Sequence, residues 1–154
     1  MWIQYIVGII LSFASSYGFG IITNIPKRTL LPAGYTGAAA WFVYLLVDAH
    51  TRGVILPNLL AAVTIGLVAN LAAVIVRAPV NVLYIPCLVS LVPGAIIYKS
   101  MRAFTLGRDA SASHGFVQTL TIAVSLAVGF VIAEAIFSKL RPELKRLANA
   151  KIDK

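Results

Sequence analysis

Glu134 is a carboxylate set within a long apolar run, residues 115 to 140, close to that run's basic end. An acid at such depth in hydrocarbon is costly, and where one occurs it marks a functional group, here one able to bind and release a proton. Asn70 is a polar residue inside another apolar run, and its amide both donates and accepts, which suits a carboxylate or a zwitterion. Pro86, then Pro93 followed at once by Gly94, fall inside a third run. Proline removes an i to i−4 hydrogen bond and glycine loosens the backbone, so the pair predicts a break near mid-membrane. Helix ends exposed at that depth form sites for ions and carboxylates. Arg77 closes a further run and offers a positive charge to a carboxylate near the interface. Asn70, Arg77, Pro86, Pro93, Gly94 and Glu134 are therefore the candidates for a substrate or proton pathway.

Asp48, His50 and Arg52 fall in a short polar joint, which reads either as a gate or as a solvated turn. Asp48 and Arg52 can pair across one helical turn if the helix continues that far. His50 and His114 are the only histidines and Cys87 the only cysteine, so the chain lacks the ligand clusters of a zinc or iron–sulfur site and cannot form an internal disulfide. Cys87 reads as a small packing residue. The sequence has neither a P-loop nor a nucleophile elbow. The reading is a protein without cofactor, metal or catalytic centre, in which any transport draws on something other than nucleotide hydrolysis by this chain.

The elements that must position these groups are membrane spans. The chain has 154 residues, of which 60% are hydrophobic and 12% charged, against about 25% charged in soluble domains. Five runs emerge, at residues 3–22, 32–47, 54–76, 80–98 and 115–140, and about 20 apolar residues suffice to cross hydrocarbon. The first lacks a basic leader and is followed by others of its kind, so it reads as a retained helix rather than a cleaved signal. The second, opening at Pro32, is the shortest. Pro26 ends the first helix, with Lys27 and Arg28 anchoring to phosphates. Residues 99–114 form the longest polar joint, with enough apolar character for a short interfacial helix. The expected architecture is all-α, a bundle of about five transmembrane helices over residues 1–140 whose fourth is broken or kinked near Pro93–Gly94, followed by a basic tail over residues 141–154.

The formal net charge of +8 belongs to anionic lipid and to topology, not to nucleic acid, since no soluble domain remains to present a basic face. An odd number of spans puts the termini on opposite sides. With the C-terminus in the cytoplasm, nine of the thirteen lysines and arginines lie inside and four (Arg52, Lys99, Arg102, Arg108) outside, which satisfies the positive-inside bias. Small residues recur every fourth position, as Gly8, Ser12, Ser16 and Gly20 in the first span and as Ser125 and Gly129 in the fifth. Such rows share a helix face and let backbones approach closely in lipid. They read as helix–helix seams, or as docking stripes for a partner or a second copy.

The sequence N-I-P-K-R-T-L-L-P-A-G-Y-T-G at residues 24–37, R-A-P at 77–79, I-P-C-L-V-S-L-V-P-G at 85–94 and the pair Tyr98–Lys99 resemble the small, second-domain component of the threonine/serine exporter family over nearly the whole chain. The resemblance implies a half-transporter in a bacterial cytoplasmic membrane, working with a larger family subunit or by self-association. It further implies export of threonine and serine, or of dicarboxylates such as succinate in a split pair, driven by the proton motive force. The rival reading is a channel-like or scaffold subunit without proton coupling. A small multidrug-type exporter fits less well, because it requires four spans and a carboxylate in the first.

Overall fold

A computed structural model describes the backbone of residues 2–150 and the side chains of residues 3–140. Six helices carry the chain: α1 (Trp2–Ile22), α2 (Lys27–His50), α3 (Ile55–Val76), α4 (Asn81–Leu88), α5 (Gly94–Thr105) and α6 (Asp109–Ala150). Among the described residues there is no strand, and α1, α2, α3 and α6 are each long and apolar enough to cross a membrane. The protein is an all-helical, multi-pass membrane protein.

The fourth span is broken where its sequence requires. α4 ends at Leu88 and α5 starts at Gly94. Between them the amides of Leu91 and Val92 both turn back to the Leu88 carbonyl, and the Gly94 amide reaches the Val92 carbonyl at 2.8 Å. That last bond closes a tight γ-type turn around Pro93, whose φ of −77° and ψ of 51° suit it. Ser90, inside the break, lies 2.9 Å from Ser12 at the middle of α1, so the break is at mid-membrane depth.

Two boundaries differ from the sequence reading. The second helix starts at Lys27, not at Pro32, and runs for 24 residues. At about 1.5 Å per residue it spans some 36 Å, so it needs neither thinning nor a special tilt. Pro26 is its N-cap, and the amide and hydroxyl of Thr29 both bond to the Pro26 carbonyl. Pro32 lies inside the helix, past its first turn, and withholds the i to i−4 donor that the Arg28 carbonyl would otherwise meet. The expected joint at 99–114 shrinks to residues 106–108, because α5 runs on through Thr105. Gly107, with φ of +69°, stops it: the Arg108 amide bonds to the Ala103 carbonyl and the Gly107 amide to that of Phe104, the paired closure of a Schellman cap. The interfacial helix expected there is therefore the second half of the broken span. The α2 helix, in turn, stops at His50 and Thr51 is extended, so Arg52 does not sit one helical turn above Asp48.

Close approaches set the register. α1 and α2 run antiparallel: Gly8 lies against the Trp41 indole, the Ser12 hydroxyl donates to the Gly37 carbonyl at 2.9 Å, and Gly20 lies against Leu30. α3 and α6 run parallel, with Gly129 on Leu59 and Ala62, and Gly66 on Ala133. Since α3 and α6 point the same way, α4 and α5 together must return the chain across the bundle. α4 packs on α1, α2 and α3, whereas α5 packs on α6 alone.

A Cβ added at Gly129 would lie 2.6 Å from the Leu59 carbonyl oxygen and 2.7 Å from the Ala62 methyl. Backbone cannot yield as a flexible side chain does, so Gly129→Val is expected to lower the unfolding free energy in detergent by about 1–3 kcal/mol. Gly18→Ala, where an added methyl meets nothing within 4 Å, should stay within about 0.5 kcal/mol of the parent. Denaturation followed by circular dichroism separates the two, and equal losses would show that the α3–α6 seam does not hold the bundle.

Candidate functional site

Three polar side chains from three helices meet in the half of the bundle where α3 ends. Asn70, from α3, is 4% exposed. Its amide nitrogen lies 2.9 Å from the Gly66 carbonyl, 2.5 Å from the Tyr84 hydroxyl and 3.4 Å from Glu134 Oε2. Tyr84, from α4, places its hydroxyl 3.5 Å from the same carboxylate oxygen and its ring 5.3 Å from that of Phe130. Glu134 comes from α6. The parallel packing of α3 and α6 brings these groups to one level: Gly66 seated on Ala133 fixes the register that puts Asn70 beside Glu134.

The arrangement has a direction. The Asn70 amide has two protons, one for the Gly66 carbonyl and one for the tyrosine oxygen, and the single proton of the tyrosine hydroxyl is then left for the carboxylate at 3.5 Å or the Gly66 carbonyl at 3.4 Å. Glu134 thus has Tyr84 as its neutral donor, with the Asn70 amide 3.4 Å from the same oxygen. Lys139, five residues further on, is turned about 140° round α6 and faces elsewhere. Glu134 is not enclosed by the bundle; it is exposed on the rim of a groove of about 310 Å³ that Tyr84, Leu88, Phe130 and Val131 also line. Asn70 precedes the last residue of α3 by six positions, which sets the cluster about 9 Å inside that helix end. A carboxylate there, held by donors and open on one side, is placed to exchange a proton or to meet a group from outside this chain.

The other residues expected to form the pathway do not join this cluster. Pro86 is buried within α4, two residues beyond Tyr84. Pro93 and Gly94 line a separate cavity of about 230 Å³ beside the break, shared with Trp41, Asn58, Ser90 and Gln118. Arg77 is exposed in a left-handed conformation at the end of α3, where its carbonyl accepts a long bond of 3.4 Å from Arg28. It ties the start of α2 to the end of α3 and reaches neither cavity. Of the small residues, Ser12, Ser16 and Gly20 are buried and Gly8 is half-buried on the α2-facing side of α1, while Ser125 and Gly129 are buried on α6.

Tyr84 is the member that sequence reasoning missed. Its signal was a phenol within an apolar segment, which needs a partner for its hydroxyl when it packs in hydrocarbon. Nothing in the sequence indicated that the partners would be residues 14 and 50 positions away.

Apolar helices around a span interrupted at mid-depth, with buried polar groups at two levels, define a multi-pass membrane protein of the transport class. A profile of the family described as threonine/serine exporter, ThrE, matches residues 8–136, most of the chain. The chain belongs to that family and is a membrane component of amino-acid export. No curated protein and no solved structure matches it.

Tyr84→Phe keeps the ring on Phe130 and removes only the hydroxyl. It is expected to cost about 0.6–1.7 kcal/mol of stability, the range of a hydrogen bond between membrane helices. The loss should shrink when Asn70 and Glu134 are already replaced, as one block, by Leu and Met, which leaves the hydroxyl only the Gly66 carbonyl at 3.4 Å. A double-mutant cycle read by denaturation in detergent checks this, and additive losses would show that the three groups act separately.

Proposed function

We propose that this chain is the membrane half of an exporter driven by the proton motive force, carrying threonine and serine or small dicarboxylates such as succinate, and completed by a larger subunit of its family. The observation that carries the proposal is the Asn70–Tyr84–Glu134 cluster: a carboxylate at membrane depth, held by neutral donors and left open on one side. Proton binding to Glu134 would remove the charge that the Asn70 and Tyr84 donors stabilise. A change of charge at the α3–α4–α6 junction is a way to bias two packings of these helices. The open side of the groove is where a second subunit would bring further groups, since this chain supplies few fixed charges to hold a zwitterion or an acid. The placement assigned to it is a bacterial cytoplasmic membrane with the cluster in the cytoplasmic half and the C-terminus in the cytoplasm, as the excess of basic residues on that side favours.

The test is efflux of labelled threonine, serine and succinate from loaded proteoliposomes under an imposed proton gradient, with this chain alone and with the larger subunit. Gradient-dependent efflux only with both is the expected result. Efflux by this chain alone would replace the two-subunit reading with a self-sufficient oligomer, and flux indifferent to the gradient would replace the coupled exporter with a channel. Glu134→Gln, at matched insertion, is expected to flatten the dependence of efflux on the gradient and to slow it by about 100-fold, the lower end of what a lost general acid–base group costs. An unchanged profile would remove Glu134 from the mechanism.

A further inference from the structure

The opposite half of the bundle holds a second polar feature, outside the Glu134 cluster. Where the α2–α3 joint meets the start of α6, a cavity of about 780 Å³ opens to the surface, lined by Thr51, Arg52, His114, Gln118 and Thr121 among apolar neighbours. The 230 Å³ cavity at the helix break lies directly beneath it, and the two share Val54 and Gln118 in their walls. The walls are mainly apolar, and polar groups are set along them: Arg52 and His114 at the mouth, Gln118 at the shared wall, then Asn58, Ser90 and the backbone of Pro93–Gly94 beside the break. Asn58 is 4% exposed and bonds through its amide nitrogen to the Val54 carbonyl at 2.6 Å, which leaves its side-chain oxygen unused by that bond.

This order of groups is not what a lipid-filled crevice needs. Interrupted backbone at mid-membrane persists where protein or water satisfies it, and the floor of this path is the interruption itself. The charged group in the wall at the mouth is a guanidinium, always protonated and suited to carboxylates. Asp48 and His50 at the end of α2 and Arg108 and Asp109 at the α5–α6 turn are near this end of the bundle, but none of them lines either cavity.

We infer that the two cavities form one water-filled vestibule that draws small carboxylate-bearing solutes between the α2–α3 face and the break in the fourth span, with Arg52 as the charge that selects them. The solute class rests on the export function proposed above; the vestibule does not, and its test needs no transport. It is the release path of that exporter, at the opposite end of the bundle from Glu134.

The single cysteine makes the test direct. Cys87 is buried, with its thiol on the Ala33 carbonyl at 3.3 Å, and Cys87→Ser keeps that bond and leaves a thiol-free background. Gly94→Cys and Gly53→Cys enter open space, with nothing within 4 Å of an added Cβ at either position. Gln118→Cys reports the shared wall, and Val124→Cys reports the apolar outer surface of α6, where the side chain is 55% exposed and lines none of the cavities described. Each variant of the full chain, in sealed membrane vesicles, is treated from either face with membrane-impermeant methanethiosulfonates, one anionic and one cationic. Labelling of Gly94→Cys and Gln118→Cys is expected from the face that labels Gly53→Cys and not from the other, with Val124→Cys inert to both. After normalisation to a free thiol in solution, the anionic reagent should be favoured at Gly94→Cys by about tenfold at low salt, the lower end of electrostatic focusing in a cleft. Arg52→Gln should erase that preference while labelling persists. Reaction of Gly94→Cys and Gln118→Cys only with a lipid-permeant maleimide would show a lipid-filled crevice and overturn the vestibule. Labelling with no charge preference, or a preference that survives Arg52→Gln, would overturn the role of Arg52. Failure of efflux with labelling intact would count against the proposed export and leave the vestibule standing.

Discussion

Hydrocarbon offers no hydrogen-bond partner, so every polar backbone group in this bundle must be met by the chain itself or by water in a cavity. The four long helices meet most of that demand within themselves, with Pro32 a single missing donor near the start of α2. The fourth span cannot, because Pro86 and Pro93 lack donors and residues 89–93 leave the helix. Much of the remaining polar chemistry is gathered near this one defect. The Ser12 hydroxyl lies 2.9 Å from both the Gly37 carbonyl and Ser90 Oγ; because a hydroxyl carries one proton, Ser90 supplies one of these two bonds. Cys87 reaches the Ala33 carbonyl, and the smaller of the two cavities at this end of the bundle is lined by the break itself.

Such a defect needs neighbours that come very close. In lipid the contacts that hold helices together are van der Waals and hydrogen bonds between backbones brought near by small residues. Ser12 and Ser16 of α1 meet Gly37 of α2, Phe13 lies on Gly34, and Gly66 and Gly129 bring α3 and α6 into register. Specific side-chain contacts then follow from backbone registers. Gly66 on Ala133 puts Asn70 beside Glu134, and Ser12 on Gly37 puts a hydroxyl beside the break. A seam that slipped by one turn would separate these pairs by about 5.4 Å, beyond hydrogen-bond reach.

The two polar features lie at opposite ends of the bundle. One is a carboxylate held by neutral donors; the other is a path with a guanidinium at its mouth. α4 spans from Tyr84, in the first, to within two residues of Ser90, in the second, and is eight residues long. A short helix held at both ends by polar contacts is suited to linking them, because a shift at one end moves the other as a rigid piece.

The fold class was legible from composition and run length, since apolar stretches of the right length have one stable form in lipid. The break at Pro93–Gly94 was legible because proline lacks a donor whatever surrounds it. The rows at Gly8, Ser12, Ser16, Gly20, Ser125 and Gly129 were visible as i to i+4 spacing, though spacing does not say which helix each faces. The start of α2 was misread at Pro32 because a proline near a helix N-terminus and one that opens a helix look alike in sequence. The extent of α5 was misread because Lys99 and Arg102 give an amphipathic helix the composition of a loop. Asn70 and Glu134 could be picked out singly as polar groups in apolar runs, whereas their meeting through Tyr84 could not. Local rules act over a turn or two of one helix; the encounter of residues 70, 84 and 134 depends on the parallel packing of α3 and α6 and on the length of the interrupted span between them, which only the tertiary structure decides.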